Sequence, residues 1–143
     1  MLFVSQKLTT VVPDFNREPL TQQNFADLCV REKIIVVHDS MPLLKAFTCR
    51  MFGQTYIFVD KDLDPVESLF LSFHELVHHF LHTHRSAIQY YHMIRPRKEE
   101  TEADIGALLC LYPTRLLAEF EPQSRFEAEL FCERLKIYDS FGQ

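Results

Sequence analysis

The chain has 143 residues, enough for one compact domain, and its 47% hydrophobic and 24% charged residues are the balance of an ordinary globular protein. The net charge of −5 argues against nucleic-acid binding. Such proteins neutralise phosphates with a basic patch, whereas the only basic cluster here, at residues 95–98, is followed at once by glutamates. No apolar run approaches the ~20 residues that a membrane-spanning helix needs.

The cysteines and the first residues predict a cytoplasmic protein. The cysteines are Cys29, Cys49, Cys110 and Cys132. They contain no C-x-x-C pair, and this spacing favours reduced, buried thiols over a disulfide framework. Residues 1–8 lack the basic and apolar regions of a signal peptide. We therefore expect a single domain over residues 1–143 in a reducing compartment.

The chain is predicted to begin with an irregular segment and one helix. Residues 1–20 contain Pro13 and Pro19 among polar residues, which is typical of irregular structure. Residues 21–32 place apolar side chains at helical spacing and predict the first amphipathic helix.

Three short strands are predicted next. The β-branched run at residues 34–37 suits a buried strand, and residues 47–52 alternate between apolar and polar side chains, with Thr48 on the polar face. Residues 53–54 suit a two-residue hairpin turn, so residues 55–59 are expected to return as the third strand.

The start of the following helix has the clearest local signals. Asp64 can cap it, Pro65 suits its first position, and Glu67, three residues after the cap, completes a capping box. An apolar stripe then continues to about His82.

Two more helices complete the predicted fold. One begins near Arg97 and continues to Tyr112, where Pro113 stops it. A capping box that begins at Ser124 predicts a C-terminal helix over residues 124–138. The order of elements favours an α+β fold in which helices pack on a small three-stranded antiparallel sheet, with the helix after Asp64 in the core.

An H-E-x-x-H motif lies inside this central helix. His74 and His78 are four residues apart and share one face, so both imidazoles can bind one zinc ion at about 2.0–2.1 Å. Glu75 lies beside this face, where a general base can take a proton from a water that the metal activates.

The next helix offers a third metal ligand. Glu100 and Asp104 are four residues apart on the face that carries Ala103 and Ala107, whose small side chains would let the two helices approach. We expect Glu100 to bind the metal and Asp104 to accept a hydrogen bond from the far nitrogen of a ligand histidine. Glu99 and Glu102 lie about 100° and 200° around the helix from Glu100.

Other histidines and aromatic residues allow alternatives. His82 lies one turn beyond His78 and is an alternative third ligand. His79 and His84 are expected at the surface. The segment 83–96 contains Tyr90, Tyr91 and His92. It could supply a lid or a hydrogen-bond donor to the transition state, and the alternative is an ordinary packed loop.

Taken together, these segments resemble the ImmA/IrrE metallopeptidase domain. The resemblance lies in the strand at residues 53–59, the motif helix at 73–82, the Glu-Thr-Glu-Ala-Asp segment at 100–104, and Leu-Tyr-Pro at 111–113. It covers roughly residues 20 to 120. The departures from the family pattern are Val77 for the common Gly, Gly106 with Ala107 where Phe-Ala is usual, and Tyr112 for a Met.

The resemblance implies a gluzincin-type zinc site: two histidines and a glutamate on the metal, with Glu75 as the base. It also implies that the substrate is a protein or peptide, such as a helix-turn-helix repressor. A two-His, one-carboxylate set also suits iron or manganese. Two rival interpretations remain: a metal-binding regulatory module without proteolysis, and a small interaction domain without metal.

Overall fold

The computed structural model describes residues 2–82, 95–117, 121–122, 127 and 129. The helices are α1 (Leu2–Val11), α2 (Gln22–Arg31), α3 (Pro65–Leu81), α4 (Arg97–Leu111) and α5 (Thr114–Leu117). The strands are β1 (Ile34–Asp39), β2 (Ala46–Met51) and β3 (Gln54–Asp60). The predicted α+β class is confirmed. The predicted C-terminal helix at 124–138 and most of the 83–96 segment lie outside the described residues.

The sheet is mixed, and the prediction that it is antiparallel was wrong. Its order is β1-β3-β2. β2 pairs antiparallel with β3, but β1 runs parallel to β3. The hairpin places β2 on one side of β3, and β1 lies on the other side. The course of residues 40–45, which join β1 to β2, sets the direction of β1. No local pattern in the strands encodes that direction.

The hairpin turn lies one residue earlier than predicted. Phe52 and Gly53 form it, with φ of 51° and 77°, as a turn with two left-handed residues requires. Met51 pairs with Gln54, which therefore belongs to β3. The Phe52 side chain is fully exposed at the tip.

A helix, α1, also replaces half of the irregular segment predicted for residues 1–20. Val4 and Leu8 lie four residues apart in α1 and are 1% and 0% exposed. They pack against α3 and α4, so burial in the tertiary structure stabilises a helix that the prolines at 13 and 19 had obscured. Both prolines follow α1 in the connection to α2.

Helix α3 is central because it contacts the sheet, α1, α2 and α4. The Asp64 carboxylate accepts hydrogen bonds from the backbone N–H groups of residues 66 and 67, and Pro65 begins the helix, as predicted. The predicted capping box does not form, since the Glu67 carboxylate pairs with Lys45 Nζ at 2.6 Å. Ala103 and Ala107 on α4 are both 0% exposed, and α4 packs along α3.

Three of the cysteines, Cys29, Cys49 and Cys110, are buried and form no disulfide, whereas Cys132 lies outside the described residues. No helix in the described part of the chain has the length and apolar character to cross a bilayer.

Candidate metal centre

Two imidazoles on α3 face each other across one helical turn. His74 and His78 are 6% and 1% exposed, and their Nε2 atoms lie 3.2 Å apart. Two nitrogens on one tetrahedral zinc ion, at about 2.0–2.1 Å each, lie roughly 3.3 Å apart. The spacing of this pair therefore fits two ligands of one metal ion.

Glu100 on α4 lies beside both imidazoles. Its Oε1 is 2.7 Å from His78 Nε2 and its Oε2 is 3.4 Å from His74 Nε2. A carboxylate only accepts, so a proton on the imidazole nitrogens or a metal ion must lie between them and the Glu100 oxygens. The Glu100 side chain is 46% exposed, which leaves the cluster open to solvent on this side.

The neighbouring glutamates are directed elsewhere. Glu99 Oε1 is 3.2 Å from Arg95 Nη1, and Glu102 Oε1 is 3.0 Å from His82 Nε2. The structure therefore brings Glu100, and not Glu99 or Glu102, to the histidine pair.

Asp104 fixes the orientation of His74. Its Oδ1 lies 2.9 Å from His74 Nδ1, in a buried contact between α4 and α3. A carboxylate accepts only, so Nδ1 donates and the Nε2 lone pair of a neutral His74 faces the cluster.

The Glu75 side chain is hydrogen-bonded to a residue of the sheet, Thr48, for which the sequence predicted no such role. Its side chain is 7% exposed, and Thr48 Oγ1 on β2 donates to Glu75 Oε1 at 2.8 Å. Glu75 Oε2 lies 3.7 Å from His74 Nε2, beside the cluster. Thr48 is 1% exposed and pairs with the fully buried Ile57, so the signal was a polar residue opposite an apolar one in the neighbouring strand.

His82 does not lie with the candidate ligands. Its Nδ1 is 2.8 Å from His78 Nδ1, on the side of the His78 ring opposite Nε2. His79 points away from the cluster and pairs with Glu32 at 3.0 Å. His84 and the aromatic residues of the 83–96 segment lie outside the described residues.

The charges of the cluster are tightly coupled. Burial lowers the pKa of His74, but hydrogen bonds to Asp104 and Glu100 outweigh this effect and raise the pKa to about 10. Burial lowers the pKa of His78 to about 4. Burial opposes ionisation of Glu100, yet hydrogen bonds from the two imidazoles hold its pKa well below the ordinary range. Burial raises the pKa of Glu75. The carboxylates around the histidine pair thus favour a positive charge at this place, where a metal cation would also be stabilised.

The fold and this constellation of two histidines and glutamates define a metallopeptidase-type domain. The family model of the IrrE N-terminal-like domain, a peptidase family, matches residues 13–138, and the chain therefore belongs to that family. No curated protein and no solved structure shows significant similarity to the chain. The family assignment agrees with the resemblance seen in the sequence.

Proposed function

We propose that this chain is a zinc-dependent peptidase in which His74, His78 and Glu100 hold the metal and Glu75 is the general base. The observation that carries the proposal is the convergence of three sets of ligand atoms beside a buried carboxylate. When bound, the metal would polarise the scissile carbonyl and make water more acidic. Iron and manganese suit the same ligands.

The contacts of Glu75 support its proposed role in proton transfer. Because its Oε1 accepts the Thr48 hydroxyl, Oε2 is the atom left to take a proton from the attacking water and to deliver it to the leaving amine. Burial raises the pKa of this carboxyl, and a higher pKa makes its ionised form a stronger base.

We further propose a protein or peptide substrate, and the family resemblance makes a helix-turn-helix repressor the first one to test. The exposed side of the cluster, at Glu100, supports access by a polypeptide. Three reduced, buried thiols support work in a reducing compartment such as the cytoplasm.

Metal content is the first test. Protein purified without a metal-affinity tag should carry about one zinc per chain by mass spectrometry. Glu100→Gln should lose or weaken it, whereas Glu99→Gln, the matched control on the same turn, should keep it because Glu99 contacts Arg95 instead. A wild type that stays metal-free after zinc is added would overturn the proposal.

Cleavage tests the role of Glu75. Wild type, Glu75→Gln and a control on the same helix, Glu67→Gln, would be loaded with zinc and mixed with a candidate repressor. We expect cleavage by the wild type and the control, blocked by a chelator, and none by Glu75→Gln at equal metal content. Cleavage by Glu75→Gln at the wild-type rate would exclude this base. Zinc-dependent binding of a partner that is never cut would favour the non-proteolytic regulatory module.

A further inference from the structure

The hydrogen bonds of the cluster continue on the far side of His78. His78 Nδ1 lies 2.8 Å from His82 Nδ1, and His82 Nε2 lies 3.0 Å from Glu102 Oε1. The His82 and Glu102 side chains are 6% and 16% exposed, so water competes little for these contacts. We infer that His82 and Glu102 are positioning residues, which hold His78 through a chain of hydrogen bonds with its Nε2 lone pair directed at the metal. This inference rests on the proposed metal centre.

The direction of the chain follows from its carboxylate end. The Glu102 carboxylate can only accept, so the proton of a neutral His82 lies on Nε2. His82 Nδ1 then carries a lone pair, which can accept a hydrogen bond from His78 Nδ1 once a metal ion, in place of a proton, lies between His78 Nε2 and Glu100 Oε1. A neutral His78 with its proton on Nδ1 presents an unprotonated Nε2, which is the form that binds a metal.

A second metal site is the competing interpretation of the same atoms. His78, His82 and Glu99 also offer ligand atoms within 4.8 Å of one another. However, the 2.8 Å between the two Nδ1 atoms is shorter than the roughly 3.3 Å expected for two nitrogens on one tetrahedral ion. The Glu99 carboxylate also already pairs with Arg95. Both observations favour hydrogen bonds over a second ion.

The two candidate histidine ligands are therefore oriented in different ways. His74 donates directly to the Asp104 carboxylate at 2.9 Å. His78 donates to a neutral imidazole, and its carboxylate, Glu102, is one step removed. Since outer partners fix the ring orientation and raise the basicity of a ligand histidine, loss of His82 should weaken metal binding without removing a ligand.

The test compares zinc affinities, measured by competition with a chromophoric chelator. His82→Leu should bind zinc about 10–100-fold more weakly than wild type. His82→Asn should recover most of this loss, because its Oδ1 lies near the position of His82 Nδ1 and can accept the same hydrogen bond. The matched control is His79→Leu, which loses a histidine–carboxylate contact of the same 3.0 Å length on the same helix and should bind as wild type does.

A second readout does not depend on any variant folding. In zinc-loaded wild type labelled with ¹⁵N-histidine, long-range NMR correlations should show a proton on His78 Nδ1 and none on His82 Nδ1. A protonated His82 Nδ1 would overturn the inference, as would zinc binding by His82→Leu as tight as by wild type and His79→Leu. Two zinc ions in wild type and one in His82→Leu would mean a second metal site instead. A wild type that binds no zinc would overturn the metal centre itself, a result distinct from all of these.

Discussion

Gly106 and Val77 fit against each other where α4 packs on α3. A methyl carbon placed on Gly106 would lie 2.8 Å from Val77 Cγ2, 2.9 Å from Val77 Cγ1 and 2.9 Å from Leu8 Cδ1 of α1, closer than carbon atoms pack. These are two of the positions at which the sequence departs from the family pattern, with Val for Gly on one helix and Gly for Phe on the other. The Val77 side chain of α3 occupies the space that a side chain at position 106 of α4 would need.

The effect of Gly106→Ala on the free energy of unfolding should depend on the residue at position 77. In wild type, Gly106→Ala should lower the free energy of unfolding by about 1–3 kcal/mol, because the added methyl group overpacks the interface. In a Val77→Ala background, the same change should cost less, because the close contacts to Val77 are gone and Leu8 Cδ1 remains, while alanine is favoured over glycine in a helix by about 1 kcal/mol. Urea unfolding of the four proteins measures both values. Equal effects of Gly106→Ala in the two backgrounds would show that Val77 is not the obstacle.

The hydroxyl of Thr48 should matter for turnover and not for metal content. Thr48→Val keeps the shape of the side chain but removes the donor to Glu75 Oε1. A hydrogen bond to a charged group contributes about 1.5–3 kcal/mol, so we expect kcat to fall roughly 10–100-fold with unchanged zinc per chain. Thr48→Ser, which restores the donor, should recover activity. If Thr48→Val lost zinc, or if Thr48→Ser were equally slow, the fall in kcat would not be due to the hydrogen bond between Thr48 and Glu75.

Asp104 should contribute to zinc affinity through His74. Asp104→Asn removes the charge that faces His74 Nδ1 at 2.9 Å, and we expect about 10–100-fold weaker zinc binding in a chelator competition. Asp27→Asn, on α2, serves as the control because, among the described residues, the Asp27 carboxylate accepts an exposed hydrogen bond from Gln23 of its own helix and lies away from the histidine pair. If Asp104→Asn bound zinc as tightly as wild type, Asp104 would not contribute to zinc affinity through His74.

Cys110 should make stability fall at alkaline pH. Burial raises the pKa of this thiol well above its ordinary value, whereas in the unfolded chain it ionises near the ordinary value of about 8.5. The stability from the neutral thiol is therefore present below about pH 8.5 and is lost as the pH rises, because the unfolded state then binds fewer protons.

The loss should reach about 1.4 kcal/mol per pH unit for this one thiol. Urea unfolding at pH 8, 9 and 10 would compare wild type with Cys110→Ala, whose free energy of unfolding should fall less steeply by this amount. Parallel pH profiles for the two proteins would contradict the buried neutral thiol.

Elements with strong local signals could be predicted from the sequence. The cap at Asp64 and the stop at Pro113 fix the ends of α3 and α4 within about one residue. The helical period of α4 also separated Glu100 from Glu99 and Glu102 as the carboxylate directed at α3, although its role as a metal ligand stays a prediction.

Features that depend on distant contacts could not be predicted. The parallel direction of β1 follows from the path of residues 40–45, and α1 is stabilised by burial of Val4 and Leu8 against other helices. Thr48 approaches Glu75 across 27 residues of sequence. His82 is one turn from His78, but only its Glu102 partner, 20 residues away, shows which way its nitrogens face.

The position of Thr48 ties the proposed base to an edge strand of the sheet. In the described part of the chain β2 is an edge strand, paired with β3 alone, and it is joined to β3 through the exposed turn at Phe52. Edge elements open locally at a lower free energy than the core of a domain. Opening of β2 would withdraw the Thr48 hydroxyl while α3 and its histidines stay folded. The fraction of molecules in which Thr48 holds Glu75 would then follow the local equilibrium of the hairpin, which a measurement of global unfolding does not report.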